Sequence, residues 1–344
     1  RNSDRHSVID VGEYLVWLLN SSRRISHQSS GFQFLLRDTV RSIMLRAVFT
    51  FKHLALFGIS TSVCLACGAD SIQGPSGPPP HLTIDVRYLS TLTAQQQSVV
   101  AAAVDKWTRA LSKDFGDFRF NYAANACFAG QPQLNEIHHN PLIFISIGAI
   151  DGPNGSLALT RLCAASGRDT LPILSQIQLD QADIASMEGQ GTLSGVITHE
   201  IGHALGFNPD SYMPRNLTGG GTADPYFSGS TARAEFAKHG AWYTGAIVPL
   251  ENHSGNGPND PHWRYLIFGD ELMVAESAVG TRSPLSTITL GYFKDLGYEV
   301  DFSVADSYEV APLFGFDRVL PQFNLANDLR TAGPPAFVTP LEPR

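Results

Sequence analysis

His199-Glu200-Ile201-Gly202-His203-Ala204-Leu205-Gly206 is the stretch on which the reading of this chain turns. On an α-helix two histidines four residues apart lie one turn apart, so both imidazoles project from one face. Neutral imidazole is a good zinc ligand, and two at this spacing can occupy adjacent corners of a tetrahedron. Glu200 sits beside the first of them, able to reach a metal-held water without ligating the metal. A zinc hydrolase needs this arrangement: the metal lowers the pKa of the water and the carboxylate takes its proton. The bland alternative is a pair of surface histidines on an amphipathic helix. The neighbours Val196, Ile197, Ile201, Ala204 and Leu205 are apolar, which predicts a largely buried helix. Two imidazoles and a carboxylate placed there need partners, and a metal supplies them.

A catalytic zinc takes three protein ligands. In metzincin proteases the helix ends at a glycine three residues after the second histidine, here Gly206, and in the short motif a third histidine follows three residues later. Pro209 stands at that position and Asp210 follows it, so the third ligand is expected farther along. The relevant stretch runs Pro249-Leu-Glu-Asn-His-Ser-Gly-Asn-Gly-Pro-Asn-Asp-Pro-His262-Trp263, then Gly269-Asp-Glu-Leu-Met273. Here the sequence resembles the leishmanolysin-like metzincins, above all their shorter, bacterial-type members, whose third histidine follows a long insertion. Supporting segments are Ile177–Asp183, Asp224-Pro-Tyr-Phe-Ser-Gly, and Thr289-Leu-Gly-Tyr-Phe-Lys-Asp-Leu-Gly-Tyr298.

The resemblance spans roughly residues 81–301 and implies a zinc-dependent endopeptidase acting on protein or peptide substrates. One catalytic Zn2+ would be held by His199, His203 and His262, with Glu200 as general base and Met273 as a hydrophobic floor in a methionine turn. Other readings of the residues stay open at this point. Asp210 and His253 are nearer candidates for the third ligand, and a carboxylate such as Glu251 or Glu271 would make a different zinc hydrolase. A non-catalytic binding protein that keeps the metzincin shell is the remaining rival.

The rest of the chain reads as an α+β domain, and the resemblance implies a metzincin-like protease fold with a twisted mixed sheet, a long active-site helix, and a loop-rich C-terminal subdomain carrying the third histidine and the methionine turn. His81–Leu89 alternates like a half-buried strand, and Pro141–Ile150 and Ser175–Asp180 look like further strands. Thr93–Phe115 has a helical pattern with Thr93 as N-cap and Val99, Ala102, Ala103, Trp107 and Leu111 as its apolar stripe. A second long helix should begin near Thr192, and a third near Ser286–Leu296, stopped by Gly297.

Of 344 residues, 24 are Lys or Arg and 32 Asp or Glu, a net charge of −8. That balance argues against nucleic-acid partners, whose phosphates need clustered basic residues. Residues 1–67 run the other way, with eight basic against four acidic side chains. The first methionine is Met44, so residues 1–43 are expected to be upstream or unstructured. From Met44, Arg46 and Lys52 precede the apolar run Leu54–Ala66, 13 residues long, too short for a membrane span and right for a secretory signal. Residues 44–67 are therefore read as a signal peptide; a buried helix of a small N-terminal domain is the alternative. Leu65-Ala66-Cys67-Gly68 resembles a lipoprotein cleavage site, which makes Cys67 a candidate for lipidation and membrane attachment, against a plain secretory signal. The expected location is outside the cytoplasm, secreted or lipid-anchored at the cell envelope. Residues 68–80 form a Gly/Pro/Ser linker, 81–301 the catalytic domain, and 302–344 a C-terminal extension. Cys127 and Cys163 are the cysteines beyond the linker; an oxidising compartment favours a disulfide between them, with two buried free thiols as the alternative. Asp180 and Asp183 can cap or orient the region before the active helix, and two carboxylates are too few to argue a calcium site.

Overall fold

Period-two alternation and one capped amphipathic helix open the domain. The computed structural model describes residues 82–239, 247–253, 257–277, 283–310, 323–324 and 329–341. The expected upstream segment 1–43, the signal segment 44–67 with Cys67, and the linker 68–80 lie outside the described residues. Residues 75–344 fall in one compact unit. Its first elements are strand β1 (Asp85–Tyr88), helix α1 (Ala94–Ala110), the hairpin of β2 (Phe118–Tyr122) and β3 (Leu134–His138), and strands β4 (Leu142–Gly148), β5 (Ala158–Ser166) and β6 (Pro172–Asp180). The main sheet has the order β1-β4-β6-β5-β7, where β7 (Leu329–Val338) comes from the far end of the chain. β1, β4 and β6 run parallel, β5 is antiparallel to β6, and β7 is parallel to β5. The sheet is thus mixed, and the fold is α+β. β4 is almost continuously apolar because it lies between two neighbours, with Leu142 to Ile145 buried. The chain beyond Asp301, set outside the domain by sequence, contributes an edge strand to this sheet.

Thr93 caps α1 with a reciprocal box: its hydroxyl accepts from the Gln96 amide, while the Gln96 side chain accepts from the Thr93 amide. The buried stripe is Gln96, Val100, Ala103, Trp107 and Ala110; Ala103 and Trp107 face inward as expected, whereas Val99 is half-buried and Ala102 exposed. The stripe includes a polar residue because Gln96 serves the cap and donates to Glu188, so hydrophobicity alone points one residue away. Helix α1 ends at Ala110, and Leu111 is buried in extended conformation.

After α2 (Ile184–Gln190), helix α3 (Leu193–Leu205) carries the histidines and is apolar on nearly every side. Such a helix has to be interior, and it packs between α1 and strands β5 and β6. The Trp107 indole N–H donates to the Thr198 carbonyl at 2.9 Å, fixing α1 to α3. Then come α4 (Pro209–Tyr212), α5 (Ser230–Ala237), α6 (Tyr265–Phe268) and α7 (Thr287–Asp295). Ser286 caps α7, and the Asp295 carboxylate accepts from the Thr231 and Ala232 amides at the start of α5. A cluster of Phe207, Phe227, Trp263, Tyr292 and Phe293 knits the loop-rich half together. Cys127 and Cys163 are joined as a disulfide, their Cα atoms 5.4 Å apart.

Asp180 and Asp183, just before α2, tie down the loop between β4 and β5. Asp180 accepts from the amides of Ile150, Gly152 and Ala182, and Asp183 from that of Asn154. No helix among the described residues is long and apolar enough to cross a membrane.

Candidate metal centre

The α3 sequence puts His199 and His203 on one face, one turn apart, and both rings are buried, their centroids 4.6 Å apart. Gly206 stops the helix at φ +125°, where a Cβ would come within 3.2–3.3 Å of Leu171, Leu296 and Ser211. The Tyr292 hydroxyl donates to the Gly206 carbonyl at 2.7 Å and the Tyr298 hydroxyl to that of Leu205 at 2.7 Å, so the turn is held from behind. Burial pushes both phenols well above their usual pKa, which keeps them protonated as donors.

The returning chain brings His262 against the pair, with ring centroids 5.4 Å from His199 and 5.1 Å from His203. His199, His203 and His262 each offer a ring nitrogen, all within 4.8 Å of one another; this is the group of three or more potential ligands among the described residues. His253 lies elsewhere: its side chain is 60% exposed and its Nδ1 is 2.8 Å from Glu251. Asp210 is half-buried at the start of α4, its carboxyl raised above its ordinary pKa by burial, and does not join the group. The carboxylates of Glu251 and Glu271 are taken up by other partners. Glu251 accepts from the amides of Asn252, His253 and Tyr265, and Glu271 from Met273, Ser286 and Thr289.

The chemistry of the three rings suits a cation. His199 Nδ1 is 2.6 Å from the Leu272 carbonyl, His203 Nδ1 2.6 Å from the Phe207 carbonyl, and His262 Nδ1 2.9 Å from the Asp260 carboxylate. Pure acceptors at Nδ1 place a proton there, and in the neutral ring that turns the lone pair to Nε2, the nitrogen a metal would use. His199 Nε2 and His203 Nε2 face each other at 2.9 Å. Two neutral imidazole nitrogens facing each other in a buried site are a donor set that suits a divalent cation. Outer acceptors of this kind fix ring orientation and raise ligand basicity.

Glu200 is fully buried, and the Thr160 hydroxyl on β5 donates to its Oε2 at 2.6 Å. Met273 packs under the helix turn that separates the two histidines: a Cβ at Gly202 would lie 2.7 Å from its Sδ. The turn bearing Met273 is set by Glu271, whose buried carboxylate accepts from the Met273 amide at 2.6 Å and from Thr289 Oγ1 at 2.5 Å. Thr289 in turn accepts from the Trp263 indole at 2.8 Å. Burial raises the Glu271 carboxyl pKa, and the four hydrogen bonds to it work the other way. One buried network thus ties His262's neighbour, the turn bearing Met273 and the carbonyl of Leu272 together.

Sequence reasoning missed Asp260, Thr160, and the Phe207 and Leu272 carbonyls. Asp260 stands two residues before His262, a visible signal; backbone carbonyls have no residue-type signature.

Comparison with known proteins points the same way. The family model described as leishmanolysin, a peptidase family, matches residues 139–317, more than half of the chain. Leishmanolysin of Leishmania major is 29% identical over 184 residues, 51% of this chain and 30% of that protein. Leishmanolysin of Leishmania chagasi is 30% identical over 168 residues, covering 46% and 27% respectively. A leishmanolysin homolog of Crithidia fasciculata is 28% identical over 169 residues, covering 47% and 25%. The chain spans under a third of the length of these curated relatives. The match takes in α3, His262 and Met273 alike, and on that evidence the chain belongs to the leishmanolysin family of metallopeptidases.

Proposed function

We propose that the chain is a zinc-dependent endopeptidase with His199, His203 and His262 as metal ligands and Glu200 as general base. The observation that carries this reading is the convergence of three buried imidazoles, each with an acceptor at Nδ1, beside a buried carboxylate on the same helix. When bound, zinc supplies Lewis acidity, lowering the pKa of a water and polarising the peptide carbonyl. Glu200 takes the proton of the attacking water on its carboxylate and hands it to the leaving amine as the C–N bond breaks. Thr160 holds Oε2 of that carboxylate, which limits its rotamers and orients it for both transfers. Met273 and Gly202 pack closely enough to keep the two histidines in register. The substrate class is protein or peptide. The test is digestion of casein by the purified chain: activity is expected to vanish with a zinc chelator and return with added zinc, and chelator-resistant digestion contradicts the proposal.

Asp260 is a positioning residue in this reading. Asp260→Ala leaves His262 Nδ1 without its carboxylate, and loss of such an outer partner weakens metal affinity about 10–100-fold. Competition with a chromophoric chelator measures this; Asp260→Asn, which keeps an acceptor oxygen, is expected to recover most of the loss. Unchanged affinity in Asp260→Ala contradicts the role.

We also propose that residues 81–301 carry the catalytic function and that the protein works outside the cytoplasm, exported through the segment 44–67 and either secreted or held at the cell envelope by a lipid on Cys67. The support is the basic start and 13-residue apolar run of that segment. A reporter fused to residues 44–74 is expected to leave the cytoplasm, and Cys67→Ala to release it from the membrane. A reporter confined to the cytoplasm contradicts export; one already soluble outside the cell contradicts the lipid anchor alone.

A further inference from the structure

Strand β5 is paired with β6 along one side, and β7 takes its other side. Without β7 that side would be an open row of N–H and C=O groups, and such edges bind extended peptides by strand addition. This edge adjoins the candidate metal centre. Thr160, whose hydroxyl holds Glu200, lies on β5, and its register partner on β7 is Leu329.

β7 is poorly built as a permanent strand. Leu329–Thr331 pairs with Thr160–Leu162, the register then shifts, and pairing resumes only at Ala336–Val338 against Ala164–Ser166. Between the two patches stand Gly333, Pro334 and Pro335. Proline has no N–H to give a ladder, and within sheets it is confined to edge strands, strand starts and bulges. Beyond the break Ala336 and Phe337 are exposed, Phe337 to 60%, and only Val338 packs against the core. Two backbone bonds pin its end, Gly167 N–H to the Val338 carbonyl at 2.8 Å and Leu341 N–H to the Asp117 carbonyl at 2.6 Å.

We propose that residues 329–338 are a built-in competitor, occupying the edge of β5 on which an extended peptide substrate aligns. The chain is thereby held in a low-activity state that is relieved when the tail is displaced or removed. The inference rests on the peptidase reading above. A tethered segment acts at an effective concentration of about 1 mM. A strand whose free peptide binds at about 0.1 mM then lowers kcat/KM about tenfold, by simple competition.

The test compares three proteins at equal zinc content on a short peptide substrate: the full chain, a chain ending at Asn324, and full-length Ala336→Pro, which weakens the pairing without shortening the chain. Both variants are expected to show kcat/KM about tenfold above the full chain. A synthetic peptide of residues 327–341 is expected to inhibit the shortened chain competitively and the full chain far less. Equal kcat/KM in all three, with no inhibition by the peptide, overturns the inference and leaves the peptidase reading standing. Slower cleavage by both variants also overturns it, since the tail would then be a support. If zinc-loaded protein cleaves nothing in any form, the peptidase reading itself falls and the inference with it.

Discussion

Glu200→Gln is expected to keep its zinc and lose turnover by about 10²–10⁴-fold, the usual worth of a general base. Gln matches Glu in size, and its carbonyl oxygen can take over the hydrogen bond from Thr160, which reaches Oε2 at 2.6 Å in the wild-type chain. The other branch becomes an NH2 group, which cannot accept a proton. The imidazoles keep their Nδ1 acceptors on Leu272, Phe207 and Asp260, so the proposed ligand set is undisturbed. Metal analysis beside steady-state kinetics separates the two effects. Near-normal kcat with zinc unchanged contradicts the role given to Glu200.

The second large effect concerns the proposed third ligand. His262→Ala is expected to lose both zinc and proteolysis, because metal affinity depends on a complete and preorganised ligand set. His262 is fully buried, its Nδ1 on Asp260, and its neighbour Trp263 is stacked on Phe268 and bonded to Thr289. His253→Ala and Asp210→Ala are expected to retain metal and activity, since neither belongs to the three-imidazole group. A His253→Ala variant stripped of zinc would contradict the assignment of the whole insertion.

The helix of the site was legible in sequence because its signal is local: His199 and His203 at one-turn spacing, apolar neighbours, and a glycine where the turn needs φ +125°. His262 was legible only through resemblance and the packing power of the segment behind it. The partners at Nδ1 were harder to foresee. The carbonyls of Phe207 and Leu272 are common to every residue, and only the tertiary fold makes them special. Thr160 lay on β5, whose sequence Ala-Leu-Thr-Arg-Leu-Cys-Ala-Ala-Ser has no alternation because the strand is buried on both faces. The β2–β3 hairpin is a different kind of miss: Phe118-Arg-Phe-Asn-Tyr alternates buried and exposed, a period-two signal that was there to be read. Gly333-Pro334-Pro335 hid β7, since those residues argue against a strand and the pairing is indeed broken across them. The first turns of α1 face inward one residue away from the apolar pattern for a similar reason, a buried glutamine serving a cap, while Ala103 and Trp107 are inward as their hydrophobicity implies.

The most direct measurement of the central claim is anomalous diffraction at the zinc edge from crystals of the metal-loaded chain. The account predicts one peak, about 2.0–2.1 Å from Nε2 of each of His199, His203 and His262. A peak ligated instead by Glu251, Glu271, His253 or Asp210, or zinc-loaded crystals with nothing among the three imidazoles, would contradict it.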